Sequence, residues 1–214
     1  MPITVITGAS RGIGSYLSKH YEGLGHTVIR ISRADGIDIG TDVEKIRAKL
    51  SWTPVIDNLI NCAGIASMNH ISLMTDRKIC EIVRTNVVGT INMCRAVTRR
   101  MRQGSRIVLF SSVAVPLDLS GEAVYAASKG AVESLTRTLA KEYSAAGITV
   151  NCIGPNPIQT DLLKGLKAEV IDSLIQKQVI KRMGLMSDIS NITDFYLQNS
   201  SNFITGQTLY LGGC

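Results

Sequence analysis

The sequence lacks several features that would define a class of protein by themselves. Its five cysteines are widely spaced and form no CxxC pair, which argues against a disulfide framework and against a thiolate zinc site. No run approaches the ~20 apolar residues of a membrane span, and no basic leader precedes the first apolar segment. We therefore expect a cytoplasmic protein with no metal and no membrane contact. The 214 residues, 45% hydrophobic and 19% charged, suit a single domain over 1–214.

Acidic residues are absent between Glu81 and Asp118, in a chain whose net charge is +6. Six arginines fall in this segment: Arg84, Arg95, Arg99, Arg100, Arg102 and Arg106. A solvated helix end, where cations meet the negative pole of the helix dipole, explains several of them more simply than a docking patch. Only 5% of the residues are aromatic, and nucleic-acid interfaces usually show a recognisable motif or stacking aromatics. We expect no nucleic-acid partner, and an acidic protein carrier stays open.

Short β-branched runs alternate with helical stretches along the chain. The runs ITVIT, HTVIRIS, DNLIN, SRIVLFS and GITVNCI are apolar on both faces, which is typical of strands buried on both sides. Helical patterns lie between them, at about 12–24, 41–50, 75–102 and 122–146. This order predicts an α/β fold in which helices cover both faces of one doubly wound parallel sheet. Such sheets bind ligands at the carboxyl ends of their strands.

The first strand runs into the segment TGASRGIG, with glycines at 8, 12 and 14. Gly8 permits a sharp exit from the strand, Gly12 lets the backbone approach a pyrophosphate, and Gly14 lets the helix pack tightly. The N-terminus of that helix offers N–H groups to phosphates. For this motif alone, a glycine turn without a ligand remains the alternative.

The segment VYAASK places Tyr125 and Lys129 four residues apart, on one face of a predicted helix. A neighbouring ammonium favours the phenolate, and we expect it to lower the pKa of Tyr125 from about 10 towards neutrality. A tyrosine in that state can give and take a proton. Ser112 follows the strand SRIVLFS, at the end where ligands bind. Taken singly, these residues also suit an exposed helix and an ordinary strand end.

Several motifs together resemble the short-chain dehydrogenase/reductase family in their order and spacing. They are TGxxxGIG at 7–14, NCAG at 61–64, NVVG at 86–89, Ser112, YAASK at 125–129 and NCIGPNPIQT at 151–160. The segment that begins RMGLMSD at Arg182 is also similar to the family, so the resemblance covers essentially the whole chain. Within the family, the 3-oxoacyl-carrier-protein reductase type looks most similar.

The resemblance implies a Rossmann-like oxidoreductase that moves hydride between a nicotinamide cofactor and a ketone or secondary alcohol. It implies that Tyr125 protonates the carbonyl oxygen, that Ser112 donates a hydrogen bond to the same oxygen, and that Lys129 also binds the nicotinamide ribose. Asn86 would hold a water that links Lys129 to solvent. The other cofactor-binding residues that it implies are Gly8, Ser10, Arg11, Gly12, Ile13, Gly14, Asn61, Ala63, Gly64, Pro155, Ile158 and Thr160.

The end of the second strand indicates which cofactor is used. The strand VIRIS ends at Ser32 and Arg33, without the acidic residue that would accept hydrogen bonds from the ribose 2′-hydroxyl. Arg33 and, by resemblance, Arg11 suit a 2′-phosphate, so we predict NADP(H). Arg33 could instead be a surface arginine. Asp38 and Ile39 resemble the acidic-aliphatic pair beside the adenine.

One departure from the family concerns the connection after the second strand, where relatives usually have a helix. Only RADGID lies between Arg33 and Asp38, and a parallel crossover needs at least ~10 to 12 residues. We predict that this helix is missing and that the sheet loses or remodels its outer strand, which leaves about six strands. The shortened connection removes part of the wall of the adenine site beside Asp38.

Two largely apolar segments should frame the substrate: the loop VAVPLDLSG after Ser112, and a lid at about 161–187. A substrate with an aliphatic portion fits such a frame, whereas most of the leucines in the lid segment suit a role in covering the core. A 3-oxoacyl thioester on an acidic acyl carrier protein is one candidate substrate. A steroid, sugar or polyketide carbonyl is the alternative for a carbonyl reductase. A non-catalytic NADP(H)-binding sensor or scaffold is the alternative from another class. The helices at 75–102 and 122–146 resemble those through which the family forms homodimers and homotetramers.

Overall fold

A computed structural model describes residues 1–159 and 168–213. Within these residues, six parallel strands form one sheet in the order β2-β1-β3-β4-β5-β6. The strands are β1 (Ile3–Thr7), β2 (Thr27–Ile31), β3 (Asn58–Asn61), β4 (Arg106–Phe110), β5 (Thr149–Gly154) and β6 (Thr208–Tyr210). The predicted doubly wound α/β fold is confirmed.

Seven α-helices connect the strands within the same residues. They are α1 (Gly12–Gly23), α2 (Val43–Leu50), α3 (Asp76–Val83), α4 (Gly89–Thr98), α5 (Ala123–Glu142), α6 (Ala168–Lys177) and α7 (Met186–Leu197). A π-helical segment, Arg84–Val88, joins α3 to α4. The helix predicted at 75–102 is therefore two α-helices with a widened turn between them.

Both faces of the sheet are buried because successive strand residues point to opposite sides. On one face, residues such as Val5 pack with α2, α4 and α5. On the other face, residues such as Ile6 pack with α1 and α7. The sheet is therefore covered by helices on each side, as its β-branched strands require.

The predicted loss of the helix after β2 is confirmed. A 3-10 turn, Arg33–Asp35, follows β2, and no strand forms between Gly36 and Gly40. β2 is consequently the edge strand of the sheet. The segment GIDI is too close to β2 along the chain to cross over and pair with it in parallel.

The shortened connection still contributes to the core. Ile37 and Ile39 are 6% and 4% exposed and join the cluster on the α4 side of the sheet. Gly89 makes room for Ile39, because a Cβ on Gly89 would lie 2.6 Å from Ile39 Cγ1. Asn92 Nδ2 donates a hydrogen bond to the Ile39 carbonyl oxygen at 2.9 Å. The loop from Gly36 to Gly40 is thus fixed on α4 through Ile39.

The arginine-rich segment lies in several environments. Arg95 is exposed on α4, and Arg99 and Arg102 are exposed just after the helix ends, as expected of a solvated helix end. Arg100 donates a hydrogen bond to the Thr53 carbonyl oxygen at 2.9 Å. Arg106 differs, because it begins β4 and is only 3% exposed.

In the described part of the chain, no helix combines the length and the apolar character that crossing a membrane requires.

Candidate active site

A cleft opens at the carboxyl ends of the strands, and residues that follow β1, β2, β3, β4 and β5 line it. Its volume is about 640 Å³. The sequence-predicted residues in its lining are Gly8, Ser10, Arg11, Gly12, Ile13, Gly14, Arg33, Asp38, Ile39, Ala63, Gly64, Ser112, Tyr125, Lys129, Pro155 and Ile158. The fold thus brings most of the predicted residues into one cavity, at the edge of the sheet where ligands bind.

Three glycines shape the turn between β1 and α1. Gly8 and Gly12 have φ angles of 63° and 54°, in the left-handed region that favours glycine. A Cβ on Gly14 would lie 2.4 Å from the carbonyl oxygen of Gly8, so no side chain fits there. Arg11 precedes α1 and makes no side-chain cap, which leaves the N–H groups of the first helical turn available to an anion. The turn therefore has the form of a phosphate cradle.

Tyr125 and Lys129 lie one turn apart on α5, and both are buried in the wall of the cleft. Lys129 Nζ lies 5.8 Å from the centre of the Tyr125 ring. It donates a hydrogen bond of 2.8 Å to the carbonyl oxygen of Phe110, the last residue of β4. Ser112 follows two residues later, lines the same cavity and interacts with the Tyr125 side chain. Strand β4 and helix α5 thus bring the serine, the tyrosine and the lysine together.

Burial dominates the ionisation of the tyrosine and the lysine. It raises the pKa of Tyr125 to about 12, while the interaction with Ser112 opposes this rise and the charge of Glu122 adds to it. It also lowers the pKa of Lys129 to about 8. The expectation of a lowered pKa for Tyr125 is therefore wrong, because the apolar surroundings disfavour the charged form of each group.

Asn86 lies in the π-helical segment and connects three parts of the fold. Its Oδ1 accepts a hydrogen bond from the Ile65 N–H, and its Nδ2 donates one to the Ile65 carbonyl oxygen, both at 2.9 Å. Nδ2 also donates to Ser128 Oγ on α5 at 2.9 Å. Asn86 is 1% exposed and lies behind the residues that line the cleft. It therefore holds the loop after β3 against α5.

Asn61 also lies beneath the lining of the cleft, at the end of β3. Its Oδ1 accepts a hydrogen bond from Thr7 Oγ1 at 2.7 Å, and its Nδ2 donates to Thr90 Oγ1 at 2.9 Å. The Thr7 hydroxyl in turn accepts a hydrogen bond from the Ala63 N–H at 3.0 Å. Asn61 thus supports the loop at Ala63 from below. Thr160 lies outside the described residues.

Arg33 extends from the turn after β2 and is held by its neighbours. Its Nε lies 3.0 Å from Asp38 Oδ2, and its NH2 donates a hydrogen bond to Thr85 Oγ1 at 2.9 Å. Asp38 Oδ1 accepts a hydrogen bond from the Gly40 N–H at 2.8 Å. Asp38 is therefore tied both to its own loop and to the arginine at the outer end of the cleft.

The end of the cleft beyond Tyr125 is largely apolar. Val113, Leu117 and Leu119 line it from the loop after Ser112, as predicted. Leu174 of α6 also lines the cleft and packs against the cluster that contains Leu119 and Tyr125. The lid at 161–187 remains a prediction, because residues 161–167, with three of its leucines, lie outside the described residues.

Sequence reasoning missed two buried carboxylates near the cleft. Glu122 directly precedes α5 and lines the cavity, and burial raises its pKa. Glu133, one turn beyond Lys129, accepts hydrogen bonds of 2.5 Å from Ser111 Oγ and from the Tyr210 hydroxyl. Because Glu133 continues the i, i+4 spacing of Tyr125 and Lys129, the helical periodicity could have revealed it.

Comparison with known proteins shows similarity over nearly the whole chain. A family model described as enoyl-(acyl carrier protein) reductase matches residues 34–213. The 3-oxoacyl-[acyl-carrier-protein] reductase of Vibrio harveyi is 31% identical, over 99% of this chain and 96% of its own. The corresponding reductase of Escherichia coli (strain K12) is 29% identical with the same coverage. That alignment spans 236 positions against 214 residues here, in keeping with a shortened chain.

Solved structures show the same fold. A small-chain dehydrogenase in complex with NADPH has a TM-score of 0.88 at 28% identity, with 99% of this chain and 97% of that chain covered. A 4-hydroxyisoleucine dehydrogenase complexed with NADH has a TM-score of 0.91 at 26% identity, with 100% and 98% covered. The fold and the cleft are those of a Rossmann-like oxidoreductase. The chain belongs to the short-chain dehydrogenase/reductase family.

Proposed function

We propose that this enzyme transfers hydride between NADP(H) and a ketone or secondary alcohol, and that its substrates are 3-oxoacyl thioesters. One observation carries this proposal. Ser112, Tyr125 and Lys129 converge on a cleft, and the glycine turn between β1 and α1 forms the other end of that cleft. The similarity to 3-oxoacyl reductases supports the choice of substrate class.

The residues around the cleft fit the cofactor. The turn from Gly8 to Gly14 and the first turn of α1 would bind the pyrophosphate, since the backbone there is bare and its N–H groups carry no side-chain cap. Arg33 would bind the 2′-phosphate, and Asp38 and Ile39 would lie beside the adenine. When bound, the nicotinamide supplies or accepts the hydride.

In this proposal, two side chains act on the substrate carbonyl and two others support them. Tyr125 is protonated near neutral pH, because its pKa is raised to about 12, and it would donate its proton to the carbonyl oxygen. Ser112 would donate a hydrogen bond to the same oxygen. Lys129 would bind the nicotinamide ribose, and its ammonium would stabilise the tyrosinate as it forms. Asn86 would act by positioning, because its amide joins the loop at Ile65 to α5.

The substrate end of the cleft suits an acyl chain. Val113, Leu117, Leu119 and Leu174 offer an apolar wall to an aliphatic group. The net charge of +6 would favour an acidic acyl carrier protein as the donor of such a substrate.

We propose homodimers or homotetramers formed through α4 and α5. Val88, just before α4, and Ile91, on α4, are exposed apolar side chains that support a subunit contact there. Analytical ultracentrifugation of the wild type and Ile91→Glu tests that contact.

Nicotinamide oxidation with an acetoacetyl thioester tests the proposal directly. Absorbance at the nicotinamide band is followed with NADPH and with NADH, for the wild type and for Tyr125→Phe. We expect NADPH-dependent turnover that Tyr125→Phe reduces by about 10²- to 10⁴-fold, with cofactor affinity retained. Tyr16→Phe serves as the matched control, because Tyr16 lies on α1 and contacts Ser190 outside the cleft.

Two other outcomes would change the assignment. If cofactor binds but the thioester is not reduced, a panel of steroid, sugar and polyketide ketones identifies a different carbonyl class. If no carbonyl is reduced and Tyr125→Phe leaves cofactor-dependent function intact, the chain is a sensor or scaffold. A non-catalytic binder has no need of a proton donor, and the buried Tyr125 therefore favours the enzyme.

A further inference from the structure

A second cavity, of about 370 Å³, lies beside the outer end of the main cleft. It shares Arg33, Asp38 and Thr85 with that cleft, so the two spaces meet at these side chains. It lies where the loop after β2 approaches α3, the region in which the connection is shortened. Two further arginines, Arg77 and Arg84, line it from the α3 side.

Arg33 presents only part of its hydrogen-bonding capacity to its neighbours. Its Nε pairs with Asp38 at 3.0 Å, its NH2 donates to Thr85 at 2.9 Å, and its NH1 lies 3.8 Å from Glu81 Oε1. Glu81 has a closer partner in Lys78 Nζ, at 3.1 Å. The guanidinium is therefore fixed at the junction of the two cavities, while five N–H donors allow it further bonds.

Arg77 and Arg84 add positive charge that the cavity does not neutralise. In the described part of the chain, neither arginine forms an ion pair, whereas both carboxylates of the cavity, Asp38 and Glu81, already contact Arg33. Three guanidiniums and two carboxylates line the cavity, which leaves one excess positive charge. Lys78 also pairs with Glu81 and adds a further positive charge beside the cavity. A space of this kind is suited to an anion.

Gly40 allows Arg84 to take this place. A Cβ on Gly40 would lie 2.8 Å from Arg84 Cγ and 3.0 Å from the Arg84 carbonyl oxygen. The stem of Arg84 therefore packs on the bare backbone of the shortened loop. The loop and the arginine fit each other, and Arg84 lines the second cavity but not the main cleft.

We propose that this second cavity holds the 2′-phosphate of NADP(H), and that Arg77 and Arg84 determine the cofactor preference together with Arg33. The inference rests on the proposed use of NADP(H). It revises the expected pair of cations, because Arg11 lines the main cleft but not the second cavity. Guanidinium groups bind phosphate with two parallel hydrogen bonds, so two or three of them around one phosphate distinguish NADP(H) from NAD(H) strongly.

Equilibrium titration of NADPH and NADH tests this role without requiring turnover. The variants are Arg77→Met, Arg84→Met and the double variant, since methionine keeps much of the apolar stem and removes the charge. We expect each single change to raise the Kd for NADPH about 5- to 20-fold and the double change to raise it further, with the Kd for NADH altered less than about 2-fold. Arg95→Met is the control, because Arg95 is exposed on α4 outside both cavities.

The results separate this inference from the proposed function. If the wild type prefers NADPH and Arg33→Met removes the preference, but Arg77→Met and Arg84→Met behave as Arg95→Met, the inference is overturned and the proposed cofactor stands. If the wild type binds NADH as tightly as NADPH, both are overturned. An equal loss of affinity for NADH in the arginine variants would also overturn the inference, because it would show a general effect on the fold. Thermal melting of each variant confirms that it is folded.

Discussion

The hydroxyl of Tyr210 donates a hydrogen bond of 2.5 Å to the carboxylate of Glu133. The two residues belong to β6, which pairs with β5, and to α5, which packs against β5. The same carboxylate oxygen accepts a hydrogen bond from Ser111, the residue before Ser112. One buried acid therefore ties together the strand that precedes the candidate serine, the helix that carries the tyrosine and lysine, and the last strand.

Glu133→Ala should destabilise the protein markedly. The change removes the acceptor of two hydrogen bonds and leaves a cavity next to the buried Ser111 hydroxyl, which together cost about 2–4 kcal/mol of unfolding free energy. Urea unfolding measures the difference. Glu142→Ala, at the exposed end of the same helix, is the matched control and should change stability by less than about 0.5 kcal/mol. Equal stability of the two variants would contradict the importance of this contact.

Gly154→Ala should also destabilise the protein, for a steric reason. A Cβ on Gly154 would lie 2.3 Å from Tyr210 Cδ1, so the ring must move, at a cost of about 1–3 kcal/mol. Gly130→Ala is a control with the opposite sign. Its Cβ would meet nothing closer than Val115 Cγ1 at 3.9 Å, and alanine in a helix is favoured over glycine by about 0.5–1 kcal/mol. Melting temperatures should therefore fall for the first variant and rise for the second.

Glu122→Gln should shift the pH dependence of carbonyl reduction. The charge of Glu122 raises the pKa of Tyr125, although burial is the larger cause. Removing that charge lowers the pKa of Tyr125, so the loss of kcat/KM with rising pH should begin at a lower pH than in the wild type. Rate profiles that extend from pH 6 to about pH 12 check the shift, because the pKa of Tyr125 is about 12 and lower pH does not reach its ionisation. An unchanged profile would show that Glu122 and Tyr125 are not electrostatically coupled.

Lys129→Met should make the folded protein more stable at pH 7 while it abolishes activity. Burial lowers the pKa of Lys129 to about 8, so the folded state binds this proton less well than the unfolded chain does. Protonation of Lys129 therefore opposes folding below pH 8, and the penalty declines as the pH rises from 8 to about 10.5. The lost hydrogen bond to Phe110 offsets part of the gain, which we expect to be on the order of 1–2 kcal/mol.

Unfolding experiments at several pH values test this expectation. The stability advantage of Lys129→Met should be largest near pH 7 and should shrink as the pH rises above 8. Lys141→Met, on the exposed end of α5, should show no such dependence. An advantage that is constant with pH would mean that the gain comes from packing rather than from the buried charge.

The sequence was sufficient for features that depend on local chain geometry. The i, i+4 spacing of Tyr125 and Lys129 predicts a shared helical face, and the structure has that face on α5. The few residues after Arg33 predict the loss of the outer strand, because chain length alone forbids the crossover. Alternating apolar strands and amphipathic helices predict the layered sheet. Each of these follows from the neighbours of a residue along the chain.

Features that depend on contacts between distant segments could not be predicted. The pKa of Tyr125 was expected to fall, because spacing reveals the lysine beside it but not how deeply both groups are buried. The helical spacing places Glu133 on the face of Tyr125 and Lys129, but it does not reveal its hydrogen-bond partner Tyr210, which lies 77 positions away. Asn86 resembles a catalytic residue and Asn61 a cofactor-binding residue in sequence, yet in the structure their amides hold the loop after β3. Such assignments depend on tertiary packing, which a local motif does not contain.

Because β2 is the edge strand, proton transfer and cofactor preference depend on different parts of the sheet in this enzyme. Proton transfer, as proposed, depends on β4, α5 and the loop after β3, all of which lie at or near the middle of the sheet. Cofactor preference, as proposed, depends on Arg33 and its neighbours at the margin, where a strand and a helix are missing and the core is still closed by Ile37 and Ile39. This margin is consequently the natural place for deletion, insertion or redesign, and changes there can retune the choice of reductant without moving the groups that handle the substrate.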